Sequence, residues 1–489
     1  MAQPPPPRSR VELWIKDIPE LQFDGVDMYC KNCKKTVSWR KKCYIMRHLA
    51  SAHHEKSITG SNNMDKQRNF NLDLVSAVVG SNIPWKKLNN PLFRQFLQRC
   101  VMGQYTNVKI PTESCLRKNY LSQTCENIRT NISSQLNGKY IWLGIDETIN
   151  ACGWRVANVL VGALEEDSPT RPHLIASKII ENPDPESITS LVHTSLKILW
   201  SIKFKDNCDK LLLLLTDVMP CIEDVGKILK EMYPNVIHIA SFTHGLQTVA
   251  ECVKDCYPDV EKLISNIQKV ILDTPECKKQ FRETLPNTPL PPEAIPTKCG
   301  TWIEAASYYY CNFDKVKRAL QRLEAPGISK TQRAFTDPTI RENLAFIHAN
   351  FSQIHLTIGR LNPGNPSASK LTLVDAMNIV FDLRNYLFRL PGSIAKKVKE
   401  KLEAIVKENP GFPALSHIAD LLMGKEVDTC EPVCLRNFKY FKYAPLACVD
   451  VELSFPDYKW IFDEKRRNLS AEHLEQTLII QFYSNETLE

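Results

Sequence analysis

Four side chains near the amino terminus constrain this chain more tightly than any other feature. Cys30 and Cys33 form a Cys-x2-Cys pair, His48 follows fourteen residues later, and His53 and His54 come next. The pattern is C-x2-C-x14-H-x4-H with His53, or x5 with His54, which matches the spacing of zinc-binding fingers. A Cys-x-x-Cys turn aims two thiolates at one point. Two histidines about one helical turn apart can face that point and close a tetrahedral site. So small a unit has too little apolar surface to fold alone, and Zn²⁺ is expected to supply much of its folding free energy. Lys34, Lys35, Arg40, Lys41, Lys42 and Arg47 crowd the segment between the ligands, with Trp39 and Tyr44 interleaved. Such cations suit the phosphates of double-stranded DNA, and a helix ending at His48 suits a groove. A finger that binds protein is the competing reading.

The rest of the chain is ordinary in bulk. Its 489 residues predict two to four domains, and 43% hydrophobic with 24% charged residues is a globular composition. A net charge of +7 is compatible with nucleic acid without pointing to it. No apolar run approaches the roughly eighteen residues of a bilayer span, so no membrane partner is expected. The first residues, Met1 to Arg8, carry no apolar core of a secretory signal. Seventeen cysteines without a framework pattern read as reduced thiols of cytosol or nucleus. No small-molecule substrate is evident.

Taken in order, residues 1–16 read as a disordered leader, 17–56 as the finger and 57–68 as a polar linker. Residues 69–137 carry helical periodicity, with Thr112 or Ser114 available as a cap. The pattern then changes. Tyr140–Thr148 and Trp154–Leu164 read as hairpin-linked strands followed by His173–Ile180, a helix from Glu186, a Lys210–Leu215 strand, a helix from Pro220, and a strand at Asn235–Ala240. That succession predicts a mixed sheet flanked by helices over 138–260. Residues 261–440 read as mostly helical, with helices at 302–324, 336–360, 371–388 and 393–408. Residues 441–489 end in an interrupted amphipathic helix in which Ser470 can act as a simple cap. Asp146 and Asp217 each stand where a buried strand stops, a rigid place for a carboxylate with one side open. By themselves they also read as mere strand ends, and Glu452 as a capping or ion-paired acid.

Together these segments resemble the hAT superfamily of cut-and-paste DNA transposases, and within it the domesticated CGG triplet repeat-binding group. The ending Arg47-His48-Leu49-Ala50-Ser51-Ala52-His53-His54 is similar to that group's finger, of BED-like type, and favours His54 as the fourth ligand. Ile141-Trp142-Leu143-Gly144-Ile145-Asp146-Glu147-Thr148 resembles the strand of the first catalytic aspartate, and Leu214-Leu215-Thr216-Asp217 that of the second. Val451-Glu452-Leu453-Ser454-Phe455 with Tyr458-Lys459-Trp460 resembles the block that carries the third acid. The resemblance implies an α+β, mostly α chain: a finger, then an RNase H-like mixed-sheet core interrupted by a large helical insertion. It implies that Asp146, Asp217 and Glu452 meet as a catalytic trio for two Mg²⁺ or Mn²⁺ ions, and that the C-terminal block self-associates. Departures stand beside it. The family's C-x-x-H is here Ser241-Phe242-Thr243-His244, its Arg-Trp pair is Lys298-Cys299 with Trp302 three positions late, and Leu453 and Pro456 replace an arginine and a serine. The expectation is a domesticated nuclear regulator of transcription or chromatin that binds DNA through the finger. An active transposase and a protein-interaction scaffold are the alternatives.

Overall fold

A computed structural model describes residues 6–104, 108–149, 154–181, 184–200, 205–216, 222–296, 298–323, 328–362, 370–426, 436–448 and 470–486. The chain divides into two compact units, Met1–Glu126 and Asn127–Glu489. The boundary falls inside a helix, Leu121–Leu136, rather than at the start of the strands.

The first unit begins with helix α1 (Arg8–Ile15), then strands β1 (Leu21–Phe23), β2 (Met28–Cys30) and β3 (Lys35–Val37) in an antiparallel sheet of that order. Helix α2 (Lys42–Leu49) and the long helix α3 (Ala52–Gly80) follow. Residues 8–16 are therefore not a disordered leader. Val11 is fully buried in a cluster with Leu21, Met28, Cys30, Cys33, Val37 and Ile45, and Trp14 and Ile15 pack against it. The proline run hides a short helix whose apolar positions at i, i+3 and i+4 all face the sheet. Nor is 57–68 a linker, for it lies inside α3. Polar and glycine residues there weaken local propensity, but they do not end a helix that is continuous on both sides. Past α3, helices Pro91–Gln104 and Glu113–Asn119 lead to Leu121–Leu136. Thr112 caps Glu113–Asn119 by accepting from the Cys115 amide at 3.3 Å.

The second unit is built on β4 (Tyr140–Ile149), β5 (Arg155–Leu164), β6 (His173–Ile180), β7 (Leu211–Thr216) and β8 (Ile237–Ala240), in the order β6-β5-β4-β7-β8. β4, β5 and β6 are antiparallel, whereas β7 runs parallel to β4 and β8 parallel to β7. The expected mixed sheet is found. The five leucines of β7 have neighbours on both edges and are buried throughout, which explains an uninterrupted apolar run instead of alternation. Trp142 lies over its cross-strand partner Gly162, where any side chain would collide with the indole.

Helices dominate the remainder, so the chain as a whole is mostly helical, with a small antiparallel sheet in the first unit and the mixed sheet in the second. The stretches read as helical at 302–324, 336–360, 371–388 and 393–408 correspond, within a few residues at their ends, to Cys299–Cys311 with Phe313–Arg322, Pro338–Leu361, Leu373–Arg389 and Ser393–Glu408. The last helix, Ala471–Glu486, starts at Ser470, whose Oγ accepts from the His473 amide at 3.2 Å. It is not amphipathic in place, because every residue from Leu474 to Phe482 is buried. Its Glu475 is held by Arg129 at 3.2 Å, Lys178 at 2.7 Å and the Ser177 amide at 3.2 Å, which fastens the helix to β6. None of the described helices is long and apolar enough to cross a membrane.

Candidate metal centre and carboxylate strand

Cys30 closes β2 and Cys33 sits three residues on, before β3 starts at Lys35. The chain reverses between β2 and β3, and Lys34, just after Cys33, has a φ of 51° in the left-handed region. The Cys33 amide points back at Cys30 Sγ at 3.5 Å, the turn that aims two sulfurs at one place. His48 comes from the last turn of α2. His54 comes from the first turn of α3. The two histidines thus do not share a helix, as the spacing alone implied. Ser51 makes the joint: its Oγ donates to the His48 carbonyl at 2.6 Å and accepts from the His54 amide at 3.2 Å.

Cys30, Cys33, His48 and His54 converge, each offering one ligand atom, and these atoms lie within 4.8 Å of one another. His54 Nδ1 is 3.5 Å from Cys30 Sγ and 3.2 Å from Cys33 Sγ. The group could hold a metal ion, and its donor chemistry, two thiols and two imidazoles, suits zinc. One observation supports that fit. His48 Nε2 is buried without a hydrogen-bond partner, an arrangement that burial penalises unless a cation takes the lone pair. Burial, helped by the neighbouring Cys30, also pushes the Cys33 thiol above its ordinary value, and a bound cation would reverse that. Burial lowers His48, with smaller contributions from His54 and His53, so its imidazole stays neutral as a ligand must. His53 is not part of the group: it is exposed and sits 3.4 Å from Lys35 Nζ.

Lys34, Lys35, Arg40, Lys41, Lys42 and Arg47 are all exposed. Tyr44 is exposed on α2 as well, with the Arg47 guanidinium 5.8 Å from its ring centroid. Trp39 is committed elsewhere, donating to the Val26 carbonyl at 3.0 Å and packing on Phe23.

In the second unit Asp146 lies on β4, at the centre of the sheet, and is 9% exposed. It stands opposite Asn158, which stands opposite Ser177. Opposed residues share a face, so the three form one polar row across an apolar sheet, and Ser177 Oγ donates to Asn158 Oδ1 at 2.9 Å. Asp217 and Glu452 lie outside the described residues. The residue before Asp217, Thr216, pairs in register with Ile145. Cys448, four positions before Glu452, approaches the Ile145 carbonyl at 3.5 Å. Trp302 is 2% exposed within the helical region, so no indole is available for stacking at that position.

Sequence reasoning missed Ser51, α1 and Glu20, whose carboxylate lies 4.0 Å from His54 Nε2. Ser51 had a signal, a serine three residues ahead of His54 where a helix can start. Glu20 had none, because its approach depends on sheet register.

No family model matches the chain. It is 28% identical, over 161 aligned residues, to CGG triplet repeat-binding protein 1 of Mus musculus, and 27% identical to the Homo sapiens protein of that name. Each alignment covers 27% of this chain and 95% of the relative. The chain is therefore similar, over about a quarter of its length, to nearly the whole of a triplet repeat-binding protein.

Proposed function

We propose that this protein is a nuclear, transposase-derived regulator that binds double-stranded DNA through a zinc-loaded N-terminal finger. One observation carries the reading: four soft and borderline donors converge inside a basic, exposed surface. The likeness to a triplet repeat-binding protein supports it. When bound, zinc would tie β2, β3, α2 and α3 together and so fix the surface that meets DNA. Lys34, Lys35, Arg40, Lys41, Lys42 and Arg47 then contact phosphates, and α2 presents Tyr44 and Arg47 toward a groove.

Cys30→Ser tests this. Loss of zinc and of DNA retention together supports the finger as the reader, and unchanged DNA binding overturns it. A salt titration separates DNA from protein as the partner, since phosphate contacts make affinity fall steeply as salt rises.

A second reading has its own support. An RNase H-like core with an Asp146, Asp217 and Glu452 site would gather three carboxylates at β4, which runs three residues past Asp146 rather than stopping there. Thr216 and Cys448 both meet Ile145, the residue before Asp146, and so bring the approaches to the other two acids to that strand. Such a trio would hold Mg²⁺ or Mn²⁺ and supply metal-assisted phosphodiester cleavage. Metal-dependent nicking of DNA that disappears in Asp146→Asn supports it; no nicking with either metal leaves the acids structural. Self-association is expected of the whole C-terminal block, 441–489; residues 449–469 of it lie outside the described residues, and Leu474 to Phe482 are buried within the chain.

A further inference from the structure

The two sides of the His54 ring face different chemistry. Nδ1 faces Cys30 Sγ and Cys33 Sγ at 3.5 and 3.2 Å. Nε2 faces the opposite way, 4.0 Å from Glu20 Oε1. A neutral imidazole carries one ring hydrogen, and the nitrogen that gives its lone pair to a cation cannot carry it. With Nδ1 turned to the sulfurs, the hydrogen belongs on Nε2, on the side of the carboxylate.

Glu20 is not there by accident of a loose side chain. Its carbonyl accepts from the Lys31 amide at 2.9 Å, inside the Cys30–Cys33 turn. The next residue, Leu21, pairs with Cys30. The hairpin that sets Cys30 therefore also sets Glu20. His54 is 1% exposed, whereas the Glu20 side chain is 26% exposed and has room to turn. The 4.0 Å separation exceeds hydrogen-bond length, and a small rotation of that side chain or one bridging water closes it. His48 differs, because its buried unpartnered nitrogen is Nε2.

We infer that Glu20 is a positioning residue for the metal centre: its carboxylate accepts from His54 Nε2–H, fixes that tautomer and commits Nδ1 to the metal, while His48 offers Nε2. This rests on the zinc reading above. Carboxylates behind ligating histidines orient the ring and raise its basicity, and losing one costs on the order of 10–100-fold in metal affinity.

The test uses the full-length chain, loaded with zinc, as wild type, Glu20→Ala, Glu20→Gln and Glu20→Asp. Zinc affinity is read by competition with a chromogenic chelator. The ring nitrogens of ¹⁵N-histidine-labelled protein are read by long-range proton–nitrogen correlation. The expected result is a loss of roughly 10–100-fold for Glu20→Ala, with partial recovery in Glu20→Asp and a wild-type His54 that carries its hydrogen on Nε2. Glu20→Gln keeps the shape without the charge, so an unfolded alanine variant does not decide the matter. Wild-type affinity in both Glu20→Ala and Glu20→Gln overturns the inference, as does a His54 bound through Nε2. A wild-type chain that takes up no zinc removes the metal reading itself, an outcome distinct from these.

Discussion

The finger and the sheet core bury their apolar residues on different scales. The finger gathers seven buried hydrophobic residues, two of them the candidate ligand cysteines. The sheet buries β7 and β8 along their whole length and β5 everywhere but Arg155. A core as small as the first offsets little of the conformational entropy of the residues it orders, and a metal held by Cys30, Cys33, His48 and His54 would supply the balance. A five-stranded sheet covered by helices has no such need. Its polar groups serve to orient elements: Glu475 fastens the last helix, and the row Asp146, Asn158 and Ser177 crosses the sheet. In the first region, then, the chemical group and the folding determinant would be the same four side chains. In the second, the sheet's apolar strands carry the fold and the candidate chemistry is a separate matter.

Metal removal gives the largest expected contrast. Chelation, or Cys30→Ser, is expected to unfold residues 20–54, because structural zinc is worth about 10–16 kcal/mol in small fingers. Strands β4 to β8 should keep their protection in hydrogen-exchange mass spectrometry. Equal loss in both units would break the contrast. Next is Glu475→Ala, which takes the carboxylate from the largely buried Arg129 and from the Ser177 amide, Lys178 being exposed, and should cost about 3 kcal/mol in denaturant unfolding of the second unit. Zinc content should not change.

A pH dependence should likewise belong to the sheet. His238 is buried beside Thr216, its Nε2 2.9 Å from Thr216 Oγ1, and burial depresses it to about 4. The unfolded chain then binds the extra proton first. Stability is full above the ordinary value of 6.5 and falls as pH drops toward 4. The slope is about 1.4 kcal/mol per pH unit, or about 3 kcal/mol over the window. His238→Gln should flatten the profile measured by thermal unfolding. The smallest effect is expected from Ser51→Ala, which removes the cap at the joint of α2 and α3. It should cost about 1 kcal/mol and loosen zinc retention slightly, as read by chelator competition.

Much of the site was readable because covalent spacing dictates it. A Cys-x2-Cys turn can aim its sulfurs only one way, and a histidine in a helix's last turn returns to that point. The choice between His53 and His54 was not readable from spacing. Ser51 starts a new helix between His48 and His54, which resets the rotational frame, and burial then selects the one that faces inward. The strands of the sheet were readable from runs such as Leu211–Leu215, whose continuity betrays burial on both faces. The last helix was misread because periodicity reports one neighbour, whereas this helix is enclosed on all sides.

By itself, the sequence determined Cys30, Cys33 and His48 as metal-capable with His53 or His54 as the fourth, their basic surroundings, and the order of strands and helices, all properties of local spacing and composition. Tertiary structure alone decided that α1 belongs to the finger, that Glu20 backs His54, and that Ile145 is met by both Thr216 and Cys448. These depend on sheet register and long-range packing, which bring together residues that no local pattern connects.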